Sequence, residues 1–439
     1  MARDNPVVNN QNQTPIFQNY SLSNFHKIKQ LQKFDKDFLF EIEVVGNVLP
    51  FKINNYVLDN LIDWDKAPED PIFALTFPQK GMLEKEDFDT IANALKGKKS
   101  KKEINLLANQ IRARLNPQPA GQIELNSPTF QGTKLLGLQR KYRETALFFP
   151  RQGQTCHAYC TFCFRWPQFA GLDELKFASK KFDDEIRFIE QNKNLTDILI
   201  TGGDPMTMNY KVFSSYIEKL LKADIRHIDI IRIGSKSLAY WPYKFTEKKE
   251  SGKFLKLFEK IVNSGRQLAF MAHFSHYREL QTEVVKNAIS RIRSTGAIIR
   301  TQSPVIKRIN DDPKIWIKML KEQARLGCIP YYMFIARNTG AYNYFNVPLV
   351  RAWEIFRDTY KSVSGTARTM RGPVMSCLYG KIQMLGVAET EKNNVLALRF
   401  LQAREPDWVQ QPFFAEYKPD AMWFTELKPA FGKEKFFFQ

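Results

Sequence analysis

Between about residue 145 and residue 345 the chain alternates six times between short apolar runs and longer segments of helical period. No other feature restricts its fold as much. The runs lie at 145–150, 198–202, 228–233, 268–271, 297–301 and 331–335. Each has strand length and is dominated by Ile, Leu, Phe, Tyr and Met. In the intervening segments Phe213, Ile217, Leu220 and Leu221 fall on one helical face. So do Phe254, Leu257, Phe258 and Ile261, and again Val285, Ala288, Ile289 and Ile292. Parallel strands need crossover connections that cover the sheet. Six β-then-α units therefore predict an α/β fold, a parallel sheet wrapped by helices as a partial or full barrel. The chemistry of such a fold sits at the C-terminal ends of its strands. A cysteine run follows the first strand and Gly202-Gly203-Asp204-Pro205 follows the second, so both belong to one mouth.

The run holds Cys156, Cys160 and Cys163, three of the five cysteines in the chain, spaced C-x3-C-x2-C. Three thiolates this close suit three irons of a [4Fe-4S] cluster. The fourth iron is left without a protein ligand, open to a small molecule. A disulfide framework would show an even count in a short secreted chain. Structural zinc wants four ligands, usually as two separated pairs. His157 lies between the first two cysteines, so a Cys3His zinc site is compatible with composition. The wider sequence favours the cluster.

With 439 residues, 44% of them hydrophobic, the chain can build one large barrel-type domain or two to three ordinary ones. Residues 1–35, rich in Asn, Gln and Ser, read as a polar arm that is poorly ordered or peripherally packed. Residues 36–140 read as mainly helical, with helices at 84–95 and 102–114, and PQPAG at 117–121 as a linker. The barrel spans 141–345. The C-terminal region, 346–439, opens on a helix at 348–362 and ends in an aromatic, basic tail. The start lacks the apolar stretch of a secretory signal, and no run approaches a membrane span of roughly 18 apolar residues. This implies a cytoplasmic, reducing location without a membrane partner, which suits an oxygen-sensitive cluster. The formal charge of +19 favours anionic partners. The densest basic run, KGKKSKK at 96–102, lacks interleaved aromatics that stack bases and reads as a solvated loop.

Cys156, Cys160 and Cys163 with Phe162, followed by Gly202-Gly203-Asp204, resemble the motifs of the radical S-adenosylmethionine superfamily. The resemblance narrows to the lysine 2,3-aminomutase family over about 140–381. It is carried by FAG at 169–171, LITGGD at 199–204, IRIGS at 231–235, AHFSH at 272–276, TQS at 301–303, IND at 309–311 and PYY at 330–332. It implies a partial (β/α)6 barrel with an N-terminal helical region and a C-terminal extension. It implies a [4Fe-4S] cluster whose open iron chelates S-adenosylmethionine, with one electron releasing a 5′-deoxyadenosyl radical. It implies pyridoxal 5′-phosphate and an isomerase moving an amino group between Cα and Cβ. An electron donor such as flavodoxin or ferredoxin and a homo-oligomer are implied as well. Under this resemblance Gly202, Gly203 and Asp204 form the loop whose missing side chains let backbone approach the methionine end of the ligand. His273 and Gln302 lie near S-adenosylmethionine. Lys381, sixteen residues after Ser364-Gly365, is the Schiff-base lysine, although LYGK stands where the family has several glycines. Arg165 clamps the substrate α-carboxylate through two parallel donors, and WPQ at 166–168 replaces basic residues beside it.

The departures concern substrate and zinc. Lysine-specific members hold the distal ammonium with two aspartates, and Arg337 and Val374 occupy those positions here. A guanidinium facing an ammonium is repulsive. A substrate with an anionic or neutral polar side chain is expected, glutamate first. No cysteine follows Lys381, and Asp312 stands where a partner-chain zinc ligand would be, so structural zinc is not expected. Cys328 and Cys377 read as buried, inert thiols. Arg368 and Arg371 read as anion contacts near Lys381 or as salt-bridged structural arginines. A second reading, radical modification of a translation factor or RNA, draws on the +19 charge.

Overall fold

The computed structural model describes residues 15–116, 124–170, 178–179, 182–391 and 393–439. The expected linker at 117–121, Gly171 and residues 1–14 of the expected arm lie outside the described residues.

The N-terminal part pairs strand β1 (Asn19–Ser21) with β2 (Lys52–Asn54). It carries helices α1 (Lys36–Val48), α2 (Asn55–Asn60), α3 (Pro71–Thr76), α4 (Lys85–Lys96) and α5 (Lys101–Leu115). Side chains set where these helices begin. Asp35 accepts from the Phe38 amide, Asn54 from Val57, and Asp70 from Ile72 and Phe73. Ser100 and Glu103 form a capping box. The basic run thus becomes an exposed turn between α4 and α5. Phe25, Ile28 and Leu31 are buried, an apolar stripe of period three that the polar composition around it concealed.

After a small hairpin of β3 (Thr129–Phe130) and β4 (Thr133–Lys134), one sheet takes up the rest of the chain. Its strands are β5 (Leu138–Tyr142), β6 (Thr145–Phe148), β7 (Asp197–Ile200), β8 (Ile230–Ser235), β9 (Gln267–His273), β10 (Ile298–Val305) and β11 (Ile329–Ile335). They continue with β12 (Arg371–Ser376), β13 (Gly380–Glu389), β14 (Asn394–Ala403) and β15 (Pro412–Glu416). They lie in sequence order. β6 to β12 are parallel, β5 is antiparallel to β6, and β12 to β15 run antiparallel. The crossovers are α6 (Asp183–Gln191), α7 (Tyr210–Lys222), α8 (Ser237–Tyr240) with α9 (Ser251–Asn263), α10 (Glu283–Ser294), α11 (Pro313–Arg325), and α12 (Tyr342–Phe345) with α13 (Leu349–Lys361). All six expected strands are present. The expected count is nevertheless short by one, because β12 adds a seventh parallel strand. Gly372 and Pro373 interrupt the apolar pattern that would have announced it. The C-terminal region continues this same sheet through β13 to β15.

Burial alternates along the parallel strands. In β8 Ile231, Ile233 and Ser235 are buried, whereas Ile230, Arg232 and Gly234 are half-buried. In β10 the buried set is Ile299, Thr301, Ser303 and Val305. The buried set meets the helices, as when the Thr301 hydroxyl donates to Gln323 of α11 at 2.7 Å. The other face is half-buried and carries Arg232, Arg300 and Gln302. The sheet curves enough for Lys141 of β5 to donate to the Cys377 carbonyl just beyond β12. Arg404 after β14 likewise reaches Asn126 at 2.7 Å. At the end of the chain Phe436 and Phe438 stack and pack on Phe413. Among the described residues no helix is long and apolar enough to cross a membrane.

Candidate active site

The three cysteines lie on the connection from β6 to α6, at the C-terminal ends of the parallel strands. The N-terminal part grips this loop through its backbone. The Tyr159 amide donates to the Lys52 carbonyl at 2.8 Å and the Thr161 amide to Leu75 at 3.0 Å. The Thr161 hydroxyl donates to Ala74 at 2.7 Å, and Asn54 donates to the His157 and Tyr240 carbonyls at 3.1 and 2.9 Å. Burial raises all three thiols. Cys156 is raised further by Asp204 and by the other two sulfurs, and Cys163 is pushed up to about 12. Such thiolates need a compensating positive centre, which metal ions supply. Among the described residues no three His, Cys, Asp or Glu side chains converge to hold one ion. The sulfurs stand near enough to raise one another's pKa, and three neighbouring thiolates suit separate irons of a polynuclear cluster. His157 is otherwise engaged. Its Nδ1 lies 3.0 Å from the Ser237 hydroxyl, and burial lowers its pKa to about 3. Among the described residues His157 does not join the cysteines in a group that could hold one metal ion.

Asp204 ties the loop to β8. Its carboxylate accepts from the Ser235 and Ser237 hydroxyls at 2.8 and 3.0 Å and from the Lys236 and Met206 amides, each at 2.9 Å. Its own amide donates to the Thr155 carbonyl at 2.7 Å. Burial raises its pKa, and these bonds oppose the rise. The structure adds a packing reason for the two glycines. A Cβ on Gly203 would stand 2.4 Å from the Thr155 carbonyl oxygen, and one on Gly202 2.3 Å from the Gln154 side chain. The space beside both glycines is filled by the cysteine loop, by the Thr155 backbone at Gly203 and by the Gln154 side chain at Gly202. Gly202 also holds φ +152°.

A buried chain of groups that the sequence reading missed supports the loop from the other side. Lys236 pairs with Glu279 at 2.7 Å and lies 4.6 Å from the centre of the Tyr240 ring. The Tyr240 hydroxyl lies 3.1 Å from the Cys160 sulfur. Glu279 also accepts from the Ser275 and His276 amides. The signal was present as a Lys after the IRIGS strand and a Glu three residues after AHFSH. Neither has a chemical signature of its own. Glu279→Gln removes the charge opposite a buried ammonium, and we expect it to cost about 3–5 kcal/mol. Equilibrium urea unfolding checks this, and a change within about 0.5 kcal/mol would refute the pairing.

His273, the last residue of β9, packs against Phe162 of the cysteine loop with ring centres 5.9 Å apart. Burial and Lys236 hold its pKa well below the ordinary value, so the ring is neutral. Gln302 stands beside it in register on β10. Both expected residues therefore lie at the same mouth as the cysteines.

Arg165 and Arg337 come together over one ring. Their guanidinium carbons lie 5.2 and 4.6 Å from the centre of Phe164, and Arg165 also covers Phe149 at 4.7 Å. Neither has an acidic partner among the described residues. Burial, then the neighbouring Arg337, lowers Arg165 to about 10. Trp166 arranges this meeting. It is buried, donates to the Thr339 hydroxyl at 3.0 Å, and packs on Gly340 in the loop that carries Arg337. Val374, at the second family position, is buried beside Tyr332 and Leu401.

Lys381 projects from β13, where its amine donates to the Gln402 side-chain oxygen. It lies 4.9 Å from the Tyr332 ring centre and 5.3 Å from that of Tyr142. Burial, then Arg232, Arg371 and Lys141, lowers its pKa to about 7, with Asp197 opposing. An amine walled by aromatics and cations is poised as a neutral nucleophile, and that chemistry fits an aldehyde cofactor. Of the two arginines expected nearby, Arg371 lies 4.3 Å from the Tyr332 ring centre. Arg368 is instead exposed and donates to the Val363 carbonyl. Cys328 is buried with its thiol raised to about 12, as expected of an inert group. Cys377 is only half-buried, because the β12–β13 turn leaves it at the surface. Asp312 is an exposed N-cap of α11.

No family model matches the chain. A protein of Aquifex aeolicus provisionally named L-lysine 2,3-aminomutase is 29% identical over 403 residues, covering 91% of this chain and 93% of that one. The L-lysine 2,3-aminomutase of Bacillus subtilis is 26% identical over 231 residues, 53% of this chain and 46% of that one. The glutamate 2,3-aminomutase of Clostridioides difficile is 26% identical over 214 residues, 48% and 47% of the two chains. The matches to these last two span about half the length of each relative. Streptococcus suis SuiB, solved with precursor peptide SuiA, is 12% identical with a TM-score of 0.35 over 60% of this chain and 51% of that one, too distant to carry an argument. The chain is thus similar in sequence, at 29% identity and below, to proteins named L-lysine 2,3-aminomutase and glutamate 2,3-aminomutase.

Proposed function

We propose that this protein is a radical S-adenosylmethionine, pyridoxal phosphate-dependent aminomutase acting on an acidic amino acid, glutamate first. The observation that carries the substrate is the Arg165–Arg337 pair, two cations over Phe164 with no acidic partner among the described residues. In this reading the curved sheet is the partial barrel of the superfamily. Residues 141–345 carry the radical chemistry and residues 346–439 supply Lys381. Cys156, Cys160 and Cys163 would hold the cluster, with His273 and Gln302 beside the sulfonium ligand.

The cluster and S-adenosylmethionine would supply the hydrogen-abstracting radical, and pyridoxal phosphate a π-system for the migrating nitrogen. The chain's residues do the rest. Arg165 grips the α-carboxylate through its planar donors, and Arg337 meets the side-chain carboxylate. Lys381 offers a neutral amine near neutral pH, and the aromatic walls exclude water from it. A low-potential donor of the flavodoxin or ferredoxin kind would supply the electron, in a reducing compartment.

Anaerobic reconstitution followed by an amino-acid screen tests this. We expect β-glutamate and 5′-deoxyadenosine from glutamate, and a preference for lysine would refute the substrate. Arg337→Gln should lower kcat/KM for glutamate by about 30-fold or more, the cost of removing one partner of a buried charge pair. Neutral amino acids should be little affected. The +19 charge favours the second reading, modification of RNA. RNA affinity falling steeply with salt, together with no turnover of free amino acids, would support it.

A further inference from the structure

Tyr240, the last residue of α8, is 1% exposed, and its hydroxyl lies 3.1 Å from the Cys160 sulfur. A sulfur that ligates iron carries no hydrogen, so in that state the tyrosine O–H is the donor and the sulfur the acceptor. The ring is held from behind. Lys236 stands 4.6 Å from its centre and is itself fixed by Glu279 at 2.7 Å and by the Ser275 hydroxyl at 3.2 Å. The Asn54 side chain donates to the Tyr240 and His157 carbonyls at 2.9 and 3.1 Å. The helix that carries the phenol and the loop that carries the thiol thus share one anchor. The first residue of α8 makes a second tie, because the Ser237 hydroxyl meets both Asp204 and the His157 ring, each at 3.0 Å. Buried, mutually bonded groups therefore set the distance from Tyr240 to Cys160. A phenylalanine would fill the same space. What the tyrosine adds is the hydroxyl, and the bond it makes is to the sulfur.

We propose that Tyr240 is a positioning residue that raises the reduction potential of the cluster held by Cys156, Cys160 and Cys163. The proposal rests on the reading of that loop as a cluster site and goes beyond it. On reduction the cluster gains one electron from the low-potential donor, Tyr240 keeps its proton, and no covalent bond changes. The added charge is shared with the ligating sulfurs. A hydrogen bond to sulfur is stronger in the reduced form than in the oxidised one, so it makes the electron easier to accept. Lys236 and Glu279 offset each other's charge in part, which leaves the hydroxyl as the dipole aimed at the sulfur.

The test is a redox titration of the full-length protein after anaerobic reconstitution, without S-adenosylmethionine or amino acid. Dithionite supplies the electrons, and EPR of the reduced cluster is the readout. Tyr240→Phe keeps the ring and its contact with Lys236 and removes only the hydroxyl. We expect unchanged iron content and a reduced-to-oxidised ratio lower by about three- to tenfold at a given poise. At 59 mV per decade for one electron, the midpoint moves about 30–60 mV more negative. Exchange into deuterium oxide gives a second readout. Pulsed EPR of the reduced wild type should detect an exchangeable deuteron coupled to the cluster that Tyr240→Phe lacks. Thermal unfolding of the iron-free chains checks that the variant folds. Equal midpoints, or a shift to less negative values in the variant, would overturn the proposal. So would loss of iron from the variant, because the hydroxyl would then retain the cluster rather than tune it. A wild type without iron–sulfur absorbance would remove the cluster reading itself, a failure visible before any titration.

Discussion

Lys381→Ala is expected to lose amino-group migration by on the order of 10³-fold or more, the scale on which a positioned catalytic group acts. It should also lose imine absorbance with pyridoxal phosphate while keeping its iron. The cysteine loop follows β6 and Lys381 lies on β13, so one can fail without the other. The pH dependence follows from the sign of the shift. Only the neutral amine attacks an aldehyde. Burial and three neighbouring cations bring the Lys381 pKa from 10.5 to about 7. Imine formation should therefore be slow below this value, rise through it and level off above. Stopped-flow absorbance across that range checks the profile. A rate still climbing toward pH 10, as for an ordinary lysine, would mean that the amine is not held where the cations depress it. Lys381→Ala with unimpaired imine formation would place the Schiff base elsewhere.

Gly203→Ala should disrupt the cysteine loop. The added methyl would lie 2.4, 2.5 and 2.6 Å from the O, N and C atoms of Thr155. These are backbone atoms one residue before Cys156, and no rotamer change relieves the contact. Overpacking of this kind costs about 1–3 kcal/mol. Here the shift also strains the Asp204–Thr155 hydrogen bond. The expected result is a lowered melting temperature and less iron per chain after anaerobic reconstitution. Gly252→Ala is the control. It lies within α9 with nothing within 4 Å of the added carbon, so it should be neutral or stabilising by up to about 1 kcal/mol. Full iron incorporation in Gly203→Ala would show that the loop has room to move, and the packing explanation would fail.

The parts of the site legible in the sequence are those whose chemistry is local. Three cysteines on one loop announce themselves, and six apolar runs with amphipathic spacers announce parallel strands. Lys236, Tyr240 and Glu279 were missed because each is ordinary alone and meaningful only in contact. The packing role of the glycines was missed for a related reason. Spacing shows that a Cβ is absent, and only packing shows which atoms occupy its place.

The amino-acid order by itself determined six of the seven parallel strands, the loop that bears the thiols and the presence of Arg337 and Val374 where the resemblance leads to aspartates. Those properties depend on periodicity and residue identity along the chain. Tertiary structure alone decided that Arg337 would meet Arg165 over Phe164, and that Lys381 would lose its charge near neutral pH. It also decided that the Tyr240 hydroxyl would meet the Cys160 sulfur. Each outcome depends on distances between residues remote in sequence. Charge interactions scale with that separation and with burial, neither of which a linear order specifies.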